Sequence, residues 1–262
     1  MKQLTLSGDS LYRGSLVLVN REHPFRETAG LPLVPVFENS TVLLERQAAS
    51  LLHSLMEKIG GGWRHITPVS GWRSSDEQQE IWEESVRDRG LDFTRKFVAV
   101  PGFSEHQTGL AIDLGFRKSL LDYICPDFPH RGICQAFRRH AAAYGFIERY
   151  PAGKEDITGI GHEPWHFRYV GAPHASIMWE LGLTLEEYTE FIKKYTFGSR
   201  PYIRREKGMV LTVSYIPAAK NGETEICLDG LYPCSVSGNN TDGYILTEWR
   251  REYADSTELR RA

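Results

Sequence analysis

The chain of 262 residues lacks several things that would each announce a class of protein. It has no surplus of positive charge: 31 Lys and Arg stand against 34 Asp and Glu, a net charge of -3. Phosphate binding favours a basic face, so this balance argues against nucleic acid as the main partner. No apolar run approaches the roughly 18 residues of a membrane-spanning helix, so none is expected. Near the start, Asp9 and Arg13 interrupt any apolar stretch. No secretory signal is therefore expected, and the cytoplasm is the simplest location.

Cysteine is scarce too. Cys125, Cys134, Cys227 and Cys234 contain no C-x-x-C pair. Four reduced, structural thiols are expected rather than a disulfide framework or a cysteine-ligated metal. Cys227 and Cys234 could face each other across a hairpin, which leaves a disulfide there open. There is no internal repeat and no low-complexity tract. What is present is ordinary for a globular protein: 41% hydrophobic and 25% charged residues, in a chain long enough to bury a core without staples.

The hydrophobic periodicity places a strand at 16–19, then a loop punctuated by Pro24, Pro32 and Pro35. Leu44, Ala48, Leu51, Leu52, Leu55, Met56 and Ile59 recur at helical spacing, predicting an amphipathic helix over 41–59 that Gly60 to Gly62 stop. A strand follows at 65–70. Ser74 and Glu77 form a capping box that opens a helix to about Arg89. Further strands are expected at 109–115 and 165–170, and helices at 134–143, 174–181 and 185–195, the last behind a second capping box at Thr184 and Glu187. Past 200 the texture changes. A strand-like run at 209–216 is followed by turn pairs such as Asn221-Gly222 and Asp242-Gly243. The last dozen residues are charged, with fraying expected. The expected class is α+β: an antiparallel sheet with flanking helices over 1–200, and a small β-rich appendage over 201–262.

Three segments carry chemistry: Ser104 to Asp113 (SEHQTGLAID), His162 to His166 (HEPWH) and Ser70 to Ser74 (SGWRS). Catalytic zinc takes three protein ligands and keeps one position open, and imidazole and carboxylate suit it. A turn at Gly109 followed by a strand would let His106 and Asp113 meet at one point. Asp113 sits among Leu110, Ala111, Ile112 and Leu114. A buried carboxylate there is costly unless it is paired or ligates a metal. The bland alternative is a strand-end Asp facing solvent or an arginine.

His162 to His166 matches H-E-x-x-H letter for letter, but that motif needs a helix to put both histidines on one face. Gly159, Gly161, Pro164 and the aromatic run behind them read as a strand instead. Glu163 is then a candidate base and His166 a candidate ligand. Residues three apart on an ideal strand point to opposite faces, so the chain must bend at Pro164 for both to serve one metal. His162 shares strand parity with His166 and is a competing ligand or an outer group. The other six histidines, His23, His53, His65, His130, His140 and His174, lack a partnered spacing and receive no role.

With these residues quoted, the chain resembles the D-alanyl-D-alanine carboxypeptidases of the VanY type, together with the bifunctional VanXY dipeptidase/carboxypeptidases of glycopeptide resistance. The resemblance rests on S-x-H-x-x-G-x-A-x-D at Ser104 to Asp113 and E-x-W-H at Glu163 to His166. Leu18-Val19-Asn20 and Ser70 to Ser74 add to it, and it covers about residues 12–195. It implies one Zn2+ per chain held by His106, Asp113 and His166, with Glu163 as catalytic base. Arg73 is implied as a catalytic and substrate-binding arginine, and Gln78 and Ser104 as further substrate-side residues. Trp165 either walls the site or belongs to the core. The implied substrate is the D-Ala-D-Ala end of peptidoglycan precursors, removed in vancomycin resistance. The rival expectations are an endopeptidase or L,D-specific peptidase of the finished wall, and a non-catalytic wall-binding module that retains the metal. The residues after 200 fall outside the resemblance.

Overall fold

Four antiparallel strands carry the residues singled out above. In the computed structural model, which describes residues 2–27, 30–117, 121–206, 208–220, 222–230 and 232–251, the chain divides into two compact units. One is residues 18–188; the other joins residues 1–17 to 189–262.

In chain order, β1 (Lys2–Leu6) belongs to the smaller unit. In the larger unit, β2 (Leu33–Pro35) and β3 (Leu43–Glu45) pair as a short ribbon. Helix α1 (Arg46–Lys58) follows directly. The predicted helix thus begins five residues late, because Glu45 caps it: its carboxylate accepts from the Gln47 and Ala48 backbone N–H groups. Its apolar stripe, Ala48, Leu52, Leu55 and Met56, is fully buried, as the periodicity requires. A one-turn helix, α2 (Gly62–His65), leads into β4 (Ile66–Ser70).

Helix α3 (Ser75–Arg89) opens on the expected capping box at Ser74 and Glu77. The short α4 (Leu91–Phe97) was not foreseen. A 3-10 turn at Glu105–Thr108 precedes β5 (Ala111–Phe116). Then come α5 (Gly132–Ala141), β6 (Phe146–Tyr150), the one-turn α6 (Glu155–Thr158), β7 (Glu163–Tyr169), α7 (Ala172–Leu181) and α8 (Leu185–Ile192). The Thr184 and Glu187 capping box is formed, with both reciprocal hydrogen bonds. β6 escaped the sequence reading because Glu148 and Arg149 interrupt its apolar pattern.

The main sheet has the order β4-β5-β7-β6, antiparallel throughout. Its register sets Asp113 opposite His166 and Ser70 opposite Asp113, so these three side chains rise from neighbouring strands. Ile112 lies opposite Phe167 on the other face. There Phe167 packs against Phe128 and Phe137, with ring centroids 5.5 and 4.8 Å away. That aromatic cluster anchors α5 to the sheet and leaves the first face for chemistry.

The smaller unit is β-rich. It comprises β8 (Tyr202–Glu206), β9 (Met209–Pro217), β10 (Thr224–Leu228), β11 (Cys234–Gly238) and β12 (Gly243–Arg251). One sheet runs β11-β12-β9-β8, and β10 pairs with β1. One expectation is corrected here, and the open question of a disulfide is answered. Residues 16–19 are buried but form no strand: the Leu16 N–H is satisfied by the Ser237 hydroxyl rather than by a ladder partner. Cys227 and Cys234 are free and exposed, because β10 and β11 belong to different sheets and are not partners. Residues 252–262, most of the charged terminal stretch, lie outside the described residues. Among the described residues, no helix is long and apolar enough to cross a membrane.

Candidate active site

Asp113 stands at the centre of the sheet with its carboxylate between two histidines. His166 Nδ1 lies 2.9 Å from Asp113 Oδ1, and His106 Nε2 lies 3.2 Å from Oδ2. All three side chains are buried, and their donor atoms fall within 4.8 Å of one another. The local sequence explains the convergence. Asp113 and His166 are register partners. His106 arrives on the 3-10 turn, which ends at Gly109 in the left-handed region (φ 71°). A side chain at Gly109 would also press on Leu33 Cδ2 at 2.9 Å, so glycine is required twice over.

The two imidazoles are oriented from behind. His106 Nδ1 donates to the Gly71 carbonyl at 2.6 Å, which turns the Nε2 lone pair towards Asp113. His166 presents Nδ1 to Asp113, while its Nε2 faces Glu105 Oε2 at 3.6 Å. Both of those outer atoms are buried without a hydrogen-bond partner. Tyr150 packs against His166, with centroids 4.8 Å apart and the rings inclined by 39°.

Glu105 is the apex of a buried ionic cluster. Its Oε1 accepts from Arg149 Nε and Arg168 Nη1, both at 2.8 Å. Arg149 continues to Glu186, at 2.9 and 2.6 Å. Burial alone would raise the Glu105 carboxyl, but the two guanidinium groups hold it far below the usual range. Removing one partner from such a cluster leaves an uncompensated buried charge.

Glu163 opens β7. Against β6 the register shifts between Glu148 and Tyr150, so that Phe167 faces Glu148 and Glu163 faces Tyr150. Two more residues are spent on β7 than on β6. This irregularity supplies the bend that the sequence demanded at Pro164, and it brings Glu163 Oε2 to 3.7 Å from His166 Nδ1. Glu163 to His166 are therefore strand, with His162 just ahead of it, and no part of HEPWH is helix. Burial, reinforced by the nearby Asp113 charge, lifts the Glu163 carboxyl to about 8 against the pull of His166 and Arg73. Burial, with Arg73 nearby, lowers His106 to about 4. His166 goes the other way: burial opposes its charge, but Asp113 and Glu105 outweigh it and raise the ring to about 9. Asp113 is held well below its ordinary value by the two histidines, which outweigh its burial.

Arg73 spreads its guanidinium over three acceptors: Ser70 Oγ at 2.6 Å, Gln78 Oε1 at 3.3 Å and Asp113 Oδ2 at 2.9 Å. Gln78 in turn donates to the Ala99 carbonyl at 2.8 Å and is buried. Ser104 is buried at the start of the turn that carries His106. Trp165 is buried against Phe97, centroids 6.5 Å apart. Arg73, Gln78, Ser104 and Trp165 all line one cleft of about 620 Å³, and His106, Asp113, Glu163 and His166 line it too.

The site also contains Glu105, Tyr150, Arg149 and Arg168, which no sequence motif marks. One signal was available. Glu105 adjoins His106, and Arg149 and Arg168 interrupt aromatic strand runs where a charge needs a partner.

The site suits a divalent ion of borderline softness. Two imidazoles and one carboxylate form a three-ligand catalytic zinc set. The unpartnered pair His166 Nε2 and Glu105 Oε2 supplies the outer carboxylate that metal-bound histidines characteristically face.

Comparison with known proteins agrees with a peptidase of this class. Residues 41–172 match the family VanY, described as D-alanyl-D-alanine carboxypeptidase. The bifunctional D-Ala-D-Ala dipeptidase and D-Ala-D-Ala carboxypeptidase VanXYC of Enterococcus gallinarum is 42% identical over 182 residues, which is 68% of this chain and 95% of that protein. The crystal structure of the vancomycin resistance D,D-dipeptidase VanXYg, in complex with a D-Ala-D-Ala phosphinate analog, superposes with a TM-score of 0.92 at 48% identity. It covers 95% of this chain and 99% of its own. A VanY D,D-pentapeptidase from the VanB-type resistance cassette, solved with Zn(II), is 33% identical with a TM-score of 0.55, covering 67% of this chain and 98% of its own. The chain belongs to the VanY family of D-alanyl-D-alanine carboxypeptidases.

Proposed function

We propose that this protein is a zinc D,D-peptidase that hydrolyses the D-Ala-D-Ala end of peptidoglycan precursors, as a dipeptidase, a carboxypeptidase or both, in resistance to glycopeptides such as vancomycin. The observation that carries the reading is the convergence of His106 Nε2, Asp113 and His166 Nδ1 on one point of the cleft, with the Glu163 carboxylate 3.7 Å from His166. In this reading one zinc ion is held by His106, Asp113 and His166. When bound, zinc supplies the Lewis acidity that polarises a carbonyl and acidifies water.

The rest is the work of the chain. Glu163, buried at the cleft floor, accepts the proton of the attacking water and passes it to the departing D-Ala nitrogen. Its burial raises its basicity, which suits that exchange. Arg73 offers a guanidinium beside the reacting centre, fixed by Ser70, Gln78 and Asp113. It stabilises the oxyanion or holds a substrate carboxylate. Gln78 and Ser104 position the substrate side of the cleft, and Trp165 walls it from water. A binding module would need the ligands but no base, and the placement of Glu163 favours an enzyme over that rival. Soluble precursors in the cytoplasm, rather than finished wall, are the substrates that go with this reading. In this reading the unit of residues 18–188 carries the peptidase site, and the β-rich residues past 200 are an appendage.

The experiment is direct. Purified protein should contain about one tightly held zinc and release D-Ala from D-Ala-D-Ala or from a UDP-linked pentapeptide. Glu163→Gln should keep the zinc and lose turnover by about 10²-fold or more. Full activity in that variant, or cleavage of sacculi without cleavage of soluble precursors, would overturn the reading.

A further inference from the structure

Two histidines that spacing alone leaves without a partner or a settled place come together in the fold. His130, in the loop ahead of α5, and His162, just ahead of β7, flank Glu148 of β6. One donor atom from each lies within 4.8 Å of the other two. His162 Nε2 and Glu148 Oε1 are 3.3 Å apart, and the two imidazole rings are 6.3 Å apart and inclined by only 32°. A tetrahedral ion with bonds of ~2.0–2.1 Å holds its donors about 3.4 Å from one another, so the first pair already has that spacing.

The cluster is braced from within. Arg138, itself buried, donates to the other oxygen of Glu148 at 2.9 Å, which leaves Oε1 directed at His162. The same guanidinium donates to the carbonyls of Phe128 and Pro129, at 2.7 and 2.9 Å, immediately before His130. It also donates to the Pro164 carbonyl at 2.6 Å, two residues after His162. One side chain therefore fixes the carboxylate and the backbone on both histidine arms. Outer groups of this kind orient metal ligands. His130 is exposed while Glu148 and His162 are half-buried, so water can complete a coordination shell. Among the described residues, none of the three lines the catalytic cleft.

We propose that His130, Glu148 and His162 form a second, peripheral site for a divalent transition-metal ion such as zinc. The donor set selects the class: imidazoles suit zinc, nickel and copper, whereas magnesium and calcium prefer all-oxygen cages. The ion ties the edge strand β6 and the loop before α5 to the start of β7, one residue from Glu163. These three side chains and Arg138 form the site whichever peptide the cleft accepts.

The test uses the full chain, free of any affinity tag, carrying its tightly bound zinc and dialysed against buffers of rising free Zn2+. Metal content per chain and thermal midpoint are both read. Wild type should rise to a second, weaker equivalent of zinc with an increase in Tm. His130→Ala and His162→Ala should each keep the tight ion and lose the second equivalent. His130 is exposed, so its replacement leaves the fold intact. Copper added to the zinc-loaded wild type should give an electron paramagnetic resonance spectrum with coupling to imidazole nitrogen, reduced in either variant. A wild type that stops at one zinc throughout, or variants that still take up the second, would overturn the proposal.

Discussion

Glu105 Oε2 and His166 Nε2 face each other across 3.6 Å of buried space, and neither atom has another hydrogen-bond partner. An imidazole that gives Nδ1 to a metal needs its opposite N–H held by an acceptor, and Glu105 is the group in place. Glu105→Gln preserves shape but removes the charge. Zinc affinity, measured by competition with a chelator, should fall about 10–100-fold. The same change leaves Arg149 and Arg168 without their shared anion, so stability should fall by about 3–5 kcal/mol in denaturant unfolding. Unchanged zinc affinity would remove Glu105 from the metal's support.

Arg73 meets three acceptors with three different nitrogens of one planar guanidinium, a spread that the single nitrogen of a lysine cannot reproduce. Arg73→Lys should lower kcat/KM by about 10²–10³-fold. The tightly bound zinc should remain, because Asp113 keeps both histidines. Loss of zinc in parallel with activity would instead make Arg73 a support for Asp113.

Gly71 is a packing constraint at the back of the site. A Cβ there would run into the Leu43 carbonyl oxygen, which already accepts the Trp72 N–H at 2.7 Å. The Gly71 carbonyl also holds His106 Nδ1. Gly71→Ala should destabilise by about 1–3 kcal/mol, as overpacking does, and weaken zinc binding through His106. Thermal unfolding and metal content, measured together, check both halves.

His174 gives the fold a pH signature away from the cleft. It is buried against Tyr188, Nδ1 to hydroxyl 2.7 Å, and burial lowers its pKa from 6.5 to about 3. Below pH 6.5 the unfolded chain therefore binds a proton that the folded chain refuses, so this residue makes stability fall as pH drops from 6.5 towards 3. The slope from this group approaches about 1.4 kcal/mol per pH unit. Between pH 6 and 4.5 the zinc-loaded wild type should lose stability more steeply than His174→Gln. Parallel slopes would contradict the assignment.

Where short-range pattern decides structure, the sequence was legible. The capping boxes at Ser74 and Thr184, the buried stripe of α1 and the strand character of HEPWH are local facts, and they suffice to reject a helical metal motif. His106, Asp113, His166 and Glu163 stood out because polar groups interrupt apolar surroundings. What escaped depends on pairing at a distance. Glu105 meets Arg149 and Arg168 across 44 and 63 residues, and no periodicity records such a partnership. β6 was hidden by its own half-buried Glu148 and buried Arg149, charges that make sense within a strand only once their partners are known. The register shift beside Pro164 could be stated as a need but not located.

Asp113 and His166 are separated by 53 residues yet are direct neighbours across two strands. The ligand geometry is therefore written into the pairing of the sheet. A slip of one residue would turn one of the two donors to the wrong face. The register of the sheet sets these two candidate donors side by side, so an ion bound between them would stabilise the paired strands. The chain between them is correspondingly free to vary: lengthening a connection costs little once its ends are fixed.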